Sequence, residues 1–298
     1  MLKISVVINT LNEEKGIRRV INSVKWADEL LICDMYSEDK TAEIAQKMGA
    51  KVIFHKKVQY VELVRNFAIS QAKGDWILVL DPDEEVPESL KNKLIAISSG
   101  MKQIDYVRIP RKNLIFKKWM QAAMWWPDYN IRFFKKGKVS WSDRIHRPPA
   151  ASGLGLDLPA KEQWVIIHHH YETISQFLER MNRYTNVQAI ELKKDGYLFD
   201  WRDLIKKPLG EFMARFFANK GYEDGVHGLT LSLLQAFSHL CLYLKLWEIE
   251  GFKEGKMNFD EVKLISKQSG SEINYWLKYG NLSKNPFKNF VQRIKNKI

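Results

Sequence analysis

The stretch Gly74-Asp75-Trp76-Ile77-Leu78-Val79-Leu80-Asp81-Pro82-Asp83-Glu84-Glu85-Val86-Pro87 decides how the rest of the chain is read. Five apolar residues, Trp76 to Leu80, predict a buried strand that stops at four carboxylates within positions 81–85. Carboxylates this close repel one another, so they persist where a cation sits among them, either a hard divalent metal or a cluster of Arg and Lys. Pro82 stiffens the turn by fixing its own φ, which lets Asp81 and Asp83 reach one ion. Mg²⁺ takes one or two carboxylates and completes its shell with substrate phosphates. The plainer reading is an acidic turn before a helix whose first turn welcomes Glu84, Glu85 and Glu88.

Working upstream, Leu2 to Ile8 predicts a first strand, followed by the polar turn Asn9-Thr10-Leu11-Asn12-Glu13-Glu14 and a helix to about Lys25. Glu29 to Cys33 predicts a second strand ending in Asp34. Ser37 to Thr41 then offers N-caps for a helix through Met48 that Gly49 terminates. Lys51 to Phe54 gives a third strand, and Tyr60 to Ala72 a helix that closes at Lys73-Gly74. Four strands alternating with three helices predict a mainly parallel, Rossmann-like sheet flanked by helices. Ligands of such sheets bind beyond the carboxyl ends of the strands, so Asn12, Glu13, Asp34, Asp81 and Asp83 are expected along one edge. Neither a Gly-x-Gly-x-x-Gly nor a P-loop follows the first strand, so phosphates must be held another way. Metal at Asp81 and Asp83 with Arg65 from the preceding helix would serve.

Downstream, a helix runs from about Pro87 to Gly100, and Asp105 to Phe116 looks like sheet carrying Arg108, Arg111 and Lys112. The segment Trp119 to Gly137 is dense in aromatics, among them Trp125 and Trp126, which suit either a core or a flat platform for sugars or bases. Asp128, Asp143 and His146 are the general-base candidates of this half, each with a structural alternative as a cap or turn. His168-His169-His170 ends an apolar strand, Trp164 to Ile167. Adjacent side chains alternate, so at most one of the three would face a metal, and a solvated role or one behind the metal's own ligands is the plainer reading. Thr173 or Glu172 caps the next helix, which ends near Gly196. From about Lys206 the composition changes. Gly225 to Leu244 holds no Asp, Glu, Lys or Arg, yet Ser232, Gln235, Ser238 and His239 gather on one side of a helical wheel. Leu229, Leu233, Phe237, Leu240, Leu244 and Trp247 form the other, which suits a helix in a membrane interface or one packed on the catalytic domain.

At 298 residues the chain is long enough for one large domain or two, and with 45% hydrophobic and 28% charged residues it has the composition of a folded protein. A formal charge of +12 calls for an anionic partner. Two cysteines, Cys33 and Cys241, both in apolar segments, imply a reducing compartment rather than a disulfide framework. The N-terminus enters a strand directly, and no secretory signal is read there. After Glu272 come six basic residues and no acid, which suits a tail near anionic lipid or simply a solvated end.

Taken in order, Ile4 to Glu13, Asp34 with Ser37 to Thr41, Arg65-Asn66 and Leu80-Asp81-Pro82-Asp83-Glu84 resemble the landmarks of inverting family 2 glycosyltransferases with a GT-A fold. Pro127 to Gly137, His170-Tyr171, Asn182-Arg183-Tyr184, Gly221 to Gly225 and Tyr243 to Trp247 are similar to the branch that includes lipopolysaccharide inner-core glucosyltransferases. The resemblance covers roughly residues 1–250; with the boundary that the composition change near Lys206 sets, a GT-A domain is expected over 1–205, with a nucleotide-sugar half over 1–100 and an acceptor half over 101–205, and a helical extension with a basic tail over 206–298. It implies a nucleotide-diphosphate sugar donor, foremost a UDP-sugar, and Mg²⁺ or Mn²⁺. The reaction implied is one inverting transfer of a hexose to a lipid-linked or cell-envelope glycan, at the cytoplasmic face of the membrane. Carried over, Thr10, Asn12 and Glu13 line the nucleotide pocket, Asp34 meets the base, Arg65 approaches the donor, and Asp81 and Asp83 form the Asp-x-Asp motif, with Asp83 the more direct metal ligand. Trp125, Trp126, Arg132 and His146 would form the sugar platform. This branch carries His-Glu where the chain has His146-Arg147, which leaves the base to Asp143, narrowly ahead of Asp128. The loop Asp34-Met35-Tyr36-Ser37 also replaces small residues. The competing readings are an inactive sugar-nucleotide binder, suggested by Arg147, and a nucleotidyltransferase, which lacks its glycine-rich loop here. A basic nucleic-acid-binding protein is the third, and no motif supports it.

Overall fold

The computed structural model describes residues 2–58, 61–101, 103–142 and 148–279, and the chain forms two compact units. The first comprises Met1–Ile115 and Pro127–His170; the second comprises Phe116–Trp126 and Tyr171–Ile298.

The first unit is built on β1 (Ile4–Thr10), every residue of which is buried. Alternation sends Ile4, Val6 and Ile8 into one apolar layer and Val7 into the other, so both faces need cover. α1 (Ile17–Val24), α2 (Thr41–Lys47) and α4 (Glu88–Gly100) cover the first face. α3 (Glu62–Ser70) covers the second with Val64, Ala68 and Ile69. At about 1.5–3 kcal/mol for each fully buried aliphatic side chain, these two layers are the main stabilising term of the unit. β2 (Glu29–Asp34) and β4 (Trp76–Leu80) flank β1 in parallel register, and β3 (Lys51–Phe54) extends the sheet beyond β2.

After β5 (Glu84–Glu85) and α4 comes β6 (Ile104–Ile115), then the short β7 (Lys118–Trp119) of the second unit, β8 (Asp128–Lys135) and β9 (Val139–Ser140). β10 (Ala150–Ala151), β11 (Leu154–Asp157) and β12 (Ile166–Tyr171) follow. The sheet order is β3-β2-β1-β4-β8-β6-β12-β5, with β8 antiparallel to both β4 and β6. The strand expected over Trp164 to Ile167 instead runs through all three histidines. Pairing with β5, Ile167 against Glu85 and His168 against Glu84, holds them extended.

The second unit contains α5 (Ile174–Lys194), α6 (Asp203–Met213), α7 (Val226–Ile249) and α8 (Phe259–Tyr279). Thr173 caps α5, its hydroxyl accepting from the Gln176 amide at 3.1 Å. Lys206, where the composition changes, lies inside α6. α7 buries Gly228, Leu231, Ser232, Ala236, Tyr243 and Leu246, while Leu229, Leu233, Phe237 and Leu244 face outward. The apolar side of the helical wheel is therefore the exposed one. The buried side is chosen by size, because small residues let α7 approach the turn at Gly221 closely.

Candidate active site

β2, β1 and β4 end side by side, and their closing residues share one edge. Asp34 pairs with Thr10 in register, and Leu80 with Ile8, so Asp81 follows one step beyond. Asp34 is fully buried and accepts hydrogen bonds from Thr10 Oγ1 at 2.9 Å, Ser37 N at 2.8 Å and Ser37 Oγ at 2.6 Å. It anchors the loop that follows β2. Asn12, in the left-handed region at φ 57°, ties that loop to the one after β1: its amide donates to Ser37 Oγ, and its Oδ1 accepts from Glu38 N, both at 2.8 Å. Glu13 N donates to Thr41 Oγ1 at 2.8 Å. Gly16 lies so close to the Pro82 carbonyl that an added Cβ would sit 2.9 Å from it and 3.8 Å from Glu13 Oε2, which brings the Glu13 carboxylate beside the Asp-Pro-Asp turn. Tyr36, also at positive φ, is exposed and stacks on Phe54 with 5.3 Å between centroids, forming an aromatic rim next to Asp34.

The acidic turn is held by cations of the protein itself. Asp81 Oδ1 accepts from Arg65 Nη2 at 2.6 Å, and Oδ2 accepts from Arg132 Nη2. Burial pushes the Asp81 carboxyl up, but the Arg132 and Arg65 guanidiniums outweigh it and hold the group well below the usual carboxylate range. Arg132 also donates to Glu84 Oε1 at 2.6 Å, and Glu84 Oε2 accepts from the Asp81 amide at 2.9 Å. Arg111 links Glu84 Oε1, at 3.3 Å, to Asp128 Oδ2, at 2.9 Å from its Nε. Asn113 continues the chain from Asp128 Oδ2, at 3.0 Å, to His168 Nδ1, at 2.6 Å. His168 Nε2 stands 3.5 Å from Asp83 Oδ1. The two aspartates of the turn are thus the ends of one polar ring, Asp81-Arg132-Glu84-Arg111-Asp128-Asn113-His168-Asp83, buried at Arg132, Glu84, Asn113 and His168 and half-buried elsewhere. Burial raises the Asp128 carboxyl too, yet Arg111 and Asn113 hold it below its ordinary value.

The family model for glycosyl transferase family 2 matches residues 5–151, which carry this edge and every member of the ring except His168. An uncharacterised glycosyltransferase of Rickettsia typhi is 31% identical over 84% of this chain and 88% of its own length. The chain belongs to glycosyltransferase family 2. Its similarity reaches, at 21% identity over 87% of the chain and 97% of the relative, a lipopolysaccharide core biosynthesis glycosyltransferase, LpsC, of Rhizobium meliloti. Among solved structures, residues 1–349 of Staphylococcus aureus TarS share 15% identity over 86% of this chain and 94% of that one, with a TM-score of 0.42.

Within this family 2 glycosyltransferase, the other residues expected at the site divide by unit. Asp143 and His146 lie outside the described residues. The chain leading to them is positioned by Asn66, whose amide donates to Trp141 O at 2.8 Å and accepts from Trp141 N at 2.9 Å. Trp125 and Trp126 belong to the second unit. There Trp125 is buried, with Arg215 5.5 Å from its ring centroid, and Trp126 meets Trp119 edge-on at 5.2 Å. Asp224 of the Gly221 to Gly225 motif caps the same aromatic loop, accepting from Gln121 N at 3.0 Å and Ala122 N at 2.8 Å.

Sequence reasoning gave Arg111 and Asn113 of this ring no role, and took Glu84 and His168 only as members of their runs. Glu84 and His168 had a usable signal, since both belong to runs of one residue type in which alternation puts only part of the run inward. Asn113, between Lys112 and Leu114, had none.

Proposed function

We propose that this enzyme moves a hexose from a nucleotide-diphosphate sugar, foremost a UDP-sugar, to a lipid-linked or cell-envelope glycan such as a lipopolysaccharide core, with inversion. The observation that carries this reading is the placing of Asp34 and of the Asp81 to Asp83 turn two strands apart on one sheet edge. Two interstrand steps of about 4.8 Å give roughly 10 Å, a separation that a nucleoside bridges between its base and its phosphates. Thr10, Asn12, Glu13 and Asp34 would line the nucleoside pocket, with the Tyr36 ring available for stacking. Arg65 and Arg132 hold Asp81 in place beside the diphosphate.

The residues fit a divalent cation. Among the described residues no three His, Cys, Asp or Glu side chains converge on one ion. Mg²⁺ and Mn²⁺ sites on substrate diphosphates, however, need only one or two protein ligands. Both Asp81 oxygens are occupied by guanidiniums. Asp83 and the Nε2 of His168 would therefore hold the ion, with Mg²⁺ or Mn²⁺ neutralising the leaving diphosphate when bound. Asp143 would deprotonate the acceptor hydroxyl. The lipopolysaccharide assignment draws on the similarity to the Rhizobium relative, and membrane contact on the outward apolar stripe of α7.

A thermal-shift screen over UDP-, GDP- and dTDP-sugars with Mn²⁺ tests the reading. One nucleotide class should raise the melting temperature of the wild type, by about 2.7 kcal/mol of added stability at a hundredfold excess over Kd. Asp83→Ala should lose the Mn²⁺-dependent part. A full metal-dependent shift in Asp83→Ala would remove Asp83 as the ligand.

A further inference from the structure

The buried bridge between Asp128 and His168 has an orientation that chemistry fixes. Asp128 lies on β8 opposite Arg111 of β6. Its Oδ2 accepts from Arg111 Nε at 2.9 Å and from Asn113 Nδ2 at 3.0 Å, and is 2.7 Å from Arg111 Nη2; its Oδ1 accepts from Asn130 Nδ2 at 2.9 Å. An ionised carboxylate can only accept, so the end of Asn113 that faces it must be the NH₂. Asn113 is fully buried, and its carbonyl oxygen is thereby turned to His168 Nδ1, 2.6 Å away. A carbonyl oxygen also only accepts, so Nδ1 carries the hydrogen.

We propose that Asn113, oriented by the Asp128 carboxylate, fixes His168 as its Nδ1–H tautomer and so turns the Nε2 lone pair toward Asp83, making Asn113 and Asp128 positioning residues for the cation site. The proposal rests on the reading of Asp83 and His168 as the metal pair. With Nδ1 committed to Asn113, Nε2 is the ring nitrogen left to face the carboxylate oxygen at 3.5 Å. A proton or a divalent cation between these two atoms is what makes such an approach favourable. The ring has little freedom to turn away. Its backbone is paired with Glu84, its face stacks on His170 with 4.4 Å between centroids, and the residue is buried. Histidine ligands are commonly set by the partner of their other ring nitrogen in this manner. Asp128 then acts through Asn113 and touches no reacting atom, which leaves proton abstraction to the other candidate, Asp143.

The tautomer can be read without substrate or metal. In metal-free protein labelled with ¹⁵N-histidine, long-range ¹H–¹⁵N correlations should show a hydrogen on His168 Nδ1. A ring that carries its hydrogen at Nε2 alone would overturn the proposal. Asn113→Leu and Asp128→Asn should each give a mixture of tautomers and weaken Mn²⁺ binding, followed by electron paramagnetic resonance, by about 10- to 100-fold. Unchanged Mn²⁺ affinity in both variants would also overturn it, because loss of a general base alters neither the tautomer nor the metal. Wild-type protein with the Nδ1–H tautomer but no Mn²⁺ binding would remove the metal reading and leave the Asn113 orientation standing.

Discussion

Glu84 shows how much a single residue carries in this site. Its carboxylate is fully buried and serves two guanidiniums, those of Arg132 and Arg111, together with the backbone amide of Asp81. A buried charge of this kind is tolerated only because every neighbour answers it, and its removal leaves Arg132 to Asp81 alone and Arg111 to Asp128 alone. Glu84→Gln keeps the shape but not the charge. The expected loss is about 3 kcal/mol of stability, read as a lowered urea midpoint with unchanged slope. A loss below about 0.5 kcal/mol would place Glu84 outside the network that supports Asp81.

At the scale of elements, α7 is the instructive case. Alternative placements of a long helix without charges differ in which face is buried, and hydrophobicity alone favours the Leu229, Leu233 and Phe237 side. Close approach favours the other. A Cβ built on Gly228 would lie 1.8 Å from the Gly221 carbonyl oxygen, and Ser232 Oγ returns its hydrogen to Gly228 O at 2.7 Å. The contact with backbone cannot be relieved by rotating a side chain. Lys245 then ties α7 to α5 through Asn182 and Thr185 at 2.7–2.8 Å. Gly228→Ala is therefore expected to destabilise the second unit by about 1–3 kcal/mol, seen as a lower melting temperature by circular dichroism. An unchanged melting temperature would show that the Gly221 turn can move.

For the molecule as a whole, the charge of +12 and the outward stripe of α7 point the same way. Leu233 is 52% and Phe237 46% exposed, one turn apart, on the one helix among the described residues that is long and apolar enough to cross a membrane. An enzyme with a lipid-linked acceptor would gain from such a face, since basic residues add about 1 kcal/mol each near an anionic surface. Vesicles containing phosphatidylglycerol should co-sediment with the wild type at low salt and release it as salt rises. The double variant Leu233→Glu, Phe237→Glu should stay in solution with unaltered circular dichroism. Equal sedimentation of both proteins would rule out α7 as the contact.

The alternation of apolar strands with capped helices from Leu2 to Gly100 was sufficient to give the parallel half of the sheet. Both faces of those strands are buried, and a buried strand announces itself as an uninterrupted apolar run. The acidic turn was legible for the same reason, as four carboxylates directly after such a run. What the sequence left open was which cations answer them. Arg132, Arg111, Asn113 and His168 come from strands 27 to 87 residues away from Asp81 and Glu84, and only the antiparallel pairing of β8, β6 and β12 brings them to one edge. Strand pairing at long range has no local signature, because register depends on the whole buried face rather than on neighbours in the chain. The sequence by itself thus determined an α/β half with an acidic edge. The tertiary structure decided that Asp81 is held by arginines and that Asp83 faces a histidine.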